Sequence, residues 1–294
     1  GGADAVAMLL RDCGGLLALL GVLIRLPLLR SVAHWLYRLI ADNTFAASEL
    51  TRGPWNPDHQ HAGPPTALVC RAVERAAAAH GLTHLARLTA NLLRPVPLGE
   101  LIVEVDEDYA ARNAAHFSAR LSGGGKELAQ LTALMQREVE TPIPSGTPGH
   151  PLPAAPRRPD DCEMMVMPFA GRQLSYADLV ENRVAEGRPW AGPSSVWFRL
   201  RHPLVEGEAP SPCQRVAVAA DSGNGISAAL DFARYSFVNC DLTINLLRRA
   251  VGDWICLAAR TQLGGNGCGL AESALYDEAG LIGREKQSLS ARQP

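Results

Sequence analysis

The chain of 294 residues has no C-x-x-C pair, and its seven cysteines (Cys13, Cys70, Cys162, Cys213, Cys240, Cys256 and Cys268) are odd in number and scattered. That pattern argues against a zinc site and a disulfide framework, and reduced thiols point to a cytoplasmic protein. There is no excess of positive charge either. Lys and Arg number 28 against 30 Asp and Glu, for a net charge of −2 and a pI near 6.5, so the basic footprint of a nucleic-acid-binding domain is missing. Long apolar runs are missing too: CGGLLALLGVLI is stopped by Arg25, short of the roughly 20 apolar residues a membrane span needs. The opening residues carry neither a basic start nor a small-residue cleavage site, which argues against a secretory signal and stable membrane insertion. A G-x-S-x-G elbow is likewise absent, and no Cys is placed with an evident His partner, so covalent catalysis is disfavoured.

What the chain does have is a repeat. LTANLLRPVPLGELIVEV (Leu88 to Val105) returns as LTINLLRRAVGDWICLAA (Leu242 to Ala259), with one residue deleted near the middle. At the same offset, 243 − 89 = 154, FSARLSGGGKELAQLTA lies over LAESALYDEAGLIGREKQ. Both read as strand, turn, strand. In the first unit, GPPTALVCRAVERAAAAHG (Gly63 to Gly81) is a helix opened by prolines and closed by glycine. Leu68, Val69, Ala72, Val73 and Ala76 form its buried face, with Arg71, Glu74 and Arg75 on the other side. Alternating strands follow, and Thr44 to Trp55 is expected to open the unit as a strand. The second unit repeats the order, with SSVWFRLR as a strand and PSPCQRVAVAADSGNG as its helix. Between them, six prolines from Pro142 to Pro156 make an extended connector that cannot continue a sheet ladder. The organisation expected is therefore residues 1–43, 44–141, 142–160 (linker) and 161–294, with an α+β fold in each repeat.

Groups present in one copy alone stand out against the other. The offset sets Asp221 over Ala67, Thr243 over Thr89 and Gln287 over Ala133, so the full polar set occurs in the second copy. Taken singly, Asp221 reads as a turn former after VAVAAD, and Thr243 and Gln287 as strand residues with local hydrogen bonds. Trp190, Trp197 and Phe198 read as core, Arg199 and Arg201 as a solvated strand face, and Asp253, Asp277 and Glu278 as turn residues.

Four segments, HAGPPTALVCRAVE (from His61), SPCQRVAVAADSGNG (from Ser211), FVNCDLTINLLR (from Phe237) and GLIGREKQSLSAR (from Gly280), together resemble the TesB-like acyl-CoA thioesterases over residues 44–292. The resemblance implies a double hotdog, two antiparallel sheets each wrapping a central helix, preceded here by an N-terminal helical extension. It also implies hydrolysis of fatty acyl-CoA by a water that Asp221, Thr243 and Gln287 orient and activate, with Asp221 as general base and backbone N–H groups polarising the carbonyl. His61, Gly63 and Gly223 are the substrate-binding residues it implies. A thioester is already activated toward attack, so no metal or other cofactor is required. Ala67 and Ala133 mark the first copy as structural. His61-Ala62-Gly63 stands where relatives often show His-Gly-Gly, and Leu242 follows Asp241 where they often show His. Two other readings remain open: a non-catalytic acyl-CoA or acyl-carrier-binding module, and a hydratase, which the absence of any His after Asp221 disfavours. Exposed sheet edges predict a homodimer or higher homo-oligomer. Residues 1–43 resemble the C-terminal tail of the DCC family of thiol-disulfide oxidoreductases, without the DCC motif and so without redox chemistry.

Overall fold

The computed structural model describes residues 43–293. The helical extension and its likeness to a DCC-family tail cover residues 1–43, of which 1–42 lie outside the described residues. Ala46–Pro294 form one compact unit.

The expected opening strand is short: β1 covers Thr44–Ala46 and gives way to a single 3-10 turn at Glu49–Thr51. Helix α1 (Gly63–Ala78) starts with Pro64 and Pro65, whose missing N–H groups cost nothing in a first helical turn. It ends just before Gly81, which adopts φ +65°. Burial goes further round this helix than its amphipathic pattern predicts. Arg71, expected on the solvent face, is 5% exposed, and both its Nε and Nη2 donate to the Glu208 carboxylate. The strands β2 (His84–Leu92), β3 (Glu100–Ala110), β4 (Ala114–Gly123) and β5 (Lys126–Gln136) complete the first repeat.

The second repeat begins with β6 (Glu163–Met165), the short helix α2 (Tyr176–Leu179), β7 (Val180–Gly187) and β8 (Ser194–Leu200). Its helix is broken. α3 (Pro212–Ala220) stops at Asp221, and a separate turn α4 (Gly223–Ile226) follows, where α1 is continuous. Strands β9 (Ser236–Asn239), β10 (Asp241–Leu246), β11 (Ile255–Leu263), β12 (Cys268–Asp277) and β13 (Gly280–Arg292) close the chain.

The two expected sheets are one. Strands run in the order β3-β4-β5-β2-β10-β13-β12-β11-β8-β7-β6, with β9 also on β13. The join is β2 against β10, antiparallel, with Thr89 opposite Thr243. The repeated LTANL and LTINL segments thus pair with each other, which relates the two copies by a local pseudo-twofold axis at that residue pair. Helices α1 and α3 lie on the same side and touch each other, α1 over β3, β4 and β5, and α3 over β8, β10 and β11. Gly63 makes the contact possible: a Cβ there would overlap the backbone carbonyl of Val218. On the opposite face, Trp197, Trp254, Cys162, Cys256 and Ala185 form a second small core. Arg199 and Arg183 lie over the Trp254 ring and both pair with Glu181. Asp277 does end β12 at a tight turn but is fully buried, clamped by both Nη groups of Arg248.

Candidate active site

The helix break in the second copy places Asp221 at the seam between the copies. It caps α3 with α-region backbone and is 6% exposed. One carboxylate oxygen, Oδ1, accepts from Asn239 Nδ2 at 2.7 Å. The other, Oδ2, lies 3.0 Å from Nδ1 of His61, which comes from the first copy, just ahead of α1. Each oxygen has one protein donor, and a carboxylate can accept about four hydrogen bonds in all. Lone pairs therefore remain for a water.

His61 is held flat. Its ring stacks on Tyr176 with centroids 3.8 Å apart and planes 2° from parallel. The Tyr176 hydroxyl donates to the Val218 carbonyl at 2.9 Å and lies 3.1 Å from Ser222 Oγ. Burial pushes the Tyr176 phenol well above its usual range, so it stays a neutral donor. The Gly63 N–H also points at His61 Nδ1, at 3.3 Å. One ring nitrogen cannot both donate to Asp221 and accept from Gly63. The shorter contact, to a carboxylate, takes the proton, because charge-assisted hydrogen bonds are the stronger kind. That assignment leaves the Gly63 N–H free for a ligand. Pro64 and Pro65 have no N–H, so the start of α1 has few other donors to offer.

Gln287, on β13, is fully buried. Its Nε2 donates to the carbonyl of Ala220, the residue before Asp221, at 2.9 Å. Its Oε1 is buried without a partner. Gly223 sits over this strand, and a Cβ there would overlap Glu285 Oε1 and lie 3.0 Å from Ser273 Oγ and 3.2 Å from Gln287 Nε2. Gly223 is thus a packing glycine above a polar cluster, whatever else it contacts.

Thr243 is not part of this cluster. Its hydroxyl donates to Thr89 Oγ1 at 3.3 Å, and its cross-strand neighbour on β13 is Lys286. Side chains alternate along a strand, so Lys286 and Thr243 share the face opposite Glu285 and Gln287. Asn239, two residues before Asp241, holds the carboxylate instead. It pairs with Leu289, which puts it on the Gln287 face. The chain irregularity at Cys240, between β9 and β10, reverses the face count, and nothing in the local sequence announces it. Two more buried polar residues escaped the sequence reading, Glu285 and Ser273, at 1% and 2% exposure. The repeat held the signal: at the offset of 154 they lie over Leu131 and Ala119. Among the described residues no cluster of His, Cys, Asp and Glu could hold a metal ion, and no helix is long and apolar enough to cross a membrane.

A cleft of about 590 Å³ is lined by Ser195, Ala258, Arg260, Glu272, Arg284 and Lys286 among others, and Glu285 and Ser273 border it as well. Arg284 and Lys286 place it on the far side of the sheet from Asp221.

Comparison with known proteins gives a consistent picture. The comparison with curated protein sequences returned no match. Among solved structures, a hot dog fold protein of unknown function from Alicyclobacillus acidocaldarius superposes with a TM-score of 0.63 at 16% identity, over 82% of this chain and 90% of that one. The TesB protein of Mycobacterium avium subsp. paratuberculosis gives 0.59 at 17% identity, over 85% and 93%. The acyl-CoA thioesterase II TesB2 of Mycobacterium marinum gives 0.53 at 16%, over 72% and 81%. At these identities the likeness shows the hot dog fold. Family descriptions go further: the acyl-CoA thioesterase N-terminal domain matches residues 51–136 and the acyl-CoA thioesterase C-terminal domain residues 159–290, so the chain belongs to the acyl-CoA thioesterase family that these two domains define.

Proposed function

We propose that the protein hydrolyses fatty acyl-CoA thioesters to the free acid and CoA, on a double hotdog whose second copy keeps the polar site and whose first copy contributes His61. The observation that carries this reading is Asp221, nearly buried, with one donor on each oxygen, next in the chain to Ala220, whose carbonyl holds a Gln287 with its Oε1 buried and unpartnered. A water that donates to both Asp221 and Gln287 Oε1 presents a lone pair to the thioester carbonyl carbon. Asp221 takes the proton as the C–O bond forms. The Gly63 N–H supports the oxyanion, and collapse breaks the C–S bond, the thiolate leaving as CoA and taking up a proton. His61 and Asn239 hold the carboxylate, and His61 is itself held by Tyr176. CoA and the acyl chain are the only partners this chemistry needs. Self-association through the exposed sheet edges and a cytoplasmic setting belong to the same reading.

Thiol release from a panel of acyl-CoAs tests it. Wild-type turnover that falls at least about 100-fold in Asp221→Asn, with the melting temperature kept, is the expected result. Undiminished turnover in Asp221→Asn refutes the assignment. Saturable acyl-CoA binding without turnover in either chain replaces the enzyme with a binding module.

A further inference from the structure

Resting on that reading, we propose that the first copy seats the acyl group: its tail enters a small apolar cavity between α1 and the first-copy strands, which Leu131 and Leu121 close, so that the thioesters hydrolysed best carry short acyl groups of roughly three or four carbons.

The cavity adjoins the site on two sides. Its wall begins at Ala62, between His61 and Gly63, and runs along Pro65 and Val69 of α1. On the strand side it includes Leu92 and Val96. The Leu92 N–H donates to the carbonyl of Cys240 at 2.9 Å, and Cys240 follows Asn239 in the chain. The Val96 carbonyl accepts from the N–H of Gln60 at 2.8 Å, and Gln60 precedes His61. The two residues that hold Asp221 are each tied to the cavity wall through a chain neighbour, so a thioester with its carbonyl oxygen at the Gly63 N–H sends its tail past Ala62. Among the lining residues only Thr66 carries a polar side chain, and its hydroxyl already donates to the Ala62 carbonyl at 2.7 Å. An apolar tail therefore meets no unpaired polar group there, and each methylene taken out of water tightens binding about fourfold.

Size is the constraint. The cavity volume is about 10 Å³, room for about one water-sized group, which a terminal methyl fills. A longer chain has to displace Leu131 or Leu121, which are 3% and 2% exposed within the packed first-copy core, or turn back into water. The second copy offers no equivalent seat. At the offset of 154, Leu131 lies over Glu285, so the wall that is apolar in one copy is a buried carboxyl group in the other. The copies divide the work: the one with the carboxylate and the carboxamide binds the water, and the one that has apolar residues at those positions holds the tail.

The test is kcat/KM for propionyl-, butyryl-, octanoyl- and palmitoyl-CoA in the wild type, Leu131→Ala and Val69→Ala, with Asp221→Asn alongside. In the wild type the better of the two short substrates is expected to exceed octanoyl-CoA by about tenfold or more, since a single misfitting methylene can be worth about 10–200-fold. Leu131→Ala opens the end of the cavity and is expected to raise the ratio of octanoyl to propionyl turnover about tenfold or more. Val69→Ala opens the cavity from the helix side and moves the same ratio in the same direction, so it decides the matter if Leu131→Ala fails to fold. A wild type that turns over octanoyl- or palmitoyl-CoA as well as butyryl-CoA overturns the inference. So does an unshifted ratio in whichever of the two variants folds. Both of these failures leave the parent reading standing while Asp221→Asn is inactive; an active Asp221→Asn, or a wild type that hydrolyses none of the four, removes both.

Discussion

Gly63→Ala separates two accounts of the same glycine by the sign of its effect. Gly63 opens α1 with ordinary negative φ, so alanine fits its backbone. By the general rule the substitution would stabilise the protein by about 0.4–1 kcal/mol, because it restricts the unfolded chain. The structure predicts the reverse. The new Cβ would overlap the Val218 carbonyl oxygen and sit 3.1 Å from its carbon and 3.2 Å from His61 Nδ1. A backbone carbonyl in a helix cannot rotate away, and this one also accepts from Tyr176 Oη. Relief requires α1 and α3 to move apart by on the order of 1 Å, an overpacking cost of about 1–3 kcal/mol. After the entropic gain, a net loss of about 1–2 kcal/mol remains, or roughly 2–8 °C in melting temperature for a unit of this size. The movement also takes His61 away from Asp221, and a misplacement of that size can cost about 100-fold in rate. Urea denaturation and acyl-CoA turnover measure the two effects. A Gly63→Ala chain as stable as the wild type, or more so, refutes the close approach of the two helices.

Asn239→Ala removes the donor to Asp221 Oδ1 and is expected to lower kcat about tenfold to 100-fold, whereas Thr243→Ala loses a hydrogen bond to Thr89 on the other face and stays within about twofold in the same thiol-release assay. Arg248→Ala leaves Asp277 fully buried without its bidentate partner and is expected to cost about 3–5 kcal/mol in denaturant unfolding. Burial alone would raise the Asp277 carboxyl, but Arg248 and the N–H groups of Val251 and Ala279 outweigh it and hold it below its ordinary 3.8. Its contribution is therefore present above pH 3.8 and lost as pH falls through the lowered native value, so acid unfolding of the wild type should be steeper below pH 4 than that of Arg248→Ala.

The duplication, the helix with its prolines and the meander were legible in the chain because they are local or periodic. Apolar spacing and turn residues act within a few positions, and a repeat is a comparison of the chain with itself. The same comparison picked out Asp221 and Gln287, and carried further it would have picked out Glu285 and Ser273, since each replaces an apolar residue of the other copy. Three things needed the tertiary structure. The pairing of β2 with β10 merges two expected sheets into one, because an edge strand finds its partner in space rather than in sequence. The passage from β9 to β10 at Cys240 reverses which side chains face the helices, so Asn239 rather than Thr243 reaches Asp221; a single irregular residue inverts a period of two. His61 meets Asp221 across 160 residues of chain, brought there by a helix contact that depends on Gly63 having no side chain. The residue types and the repeat came from the sequence; which of those residues share a face and a hydrogen bond came from packing, because strand parity and helix contact are properties of the folded chain as a whole.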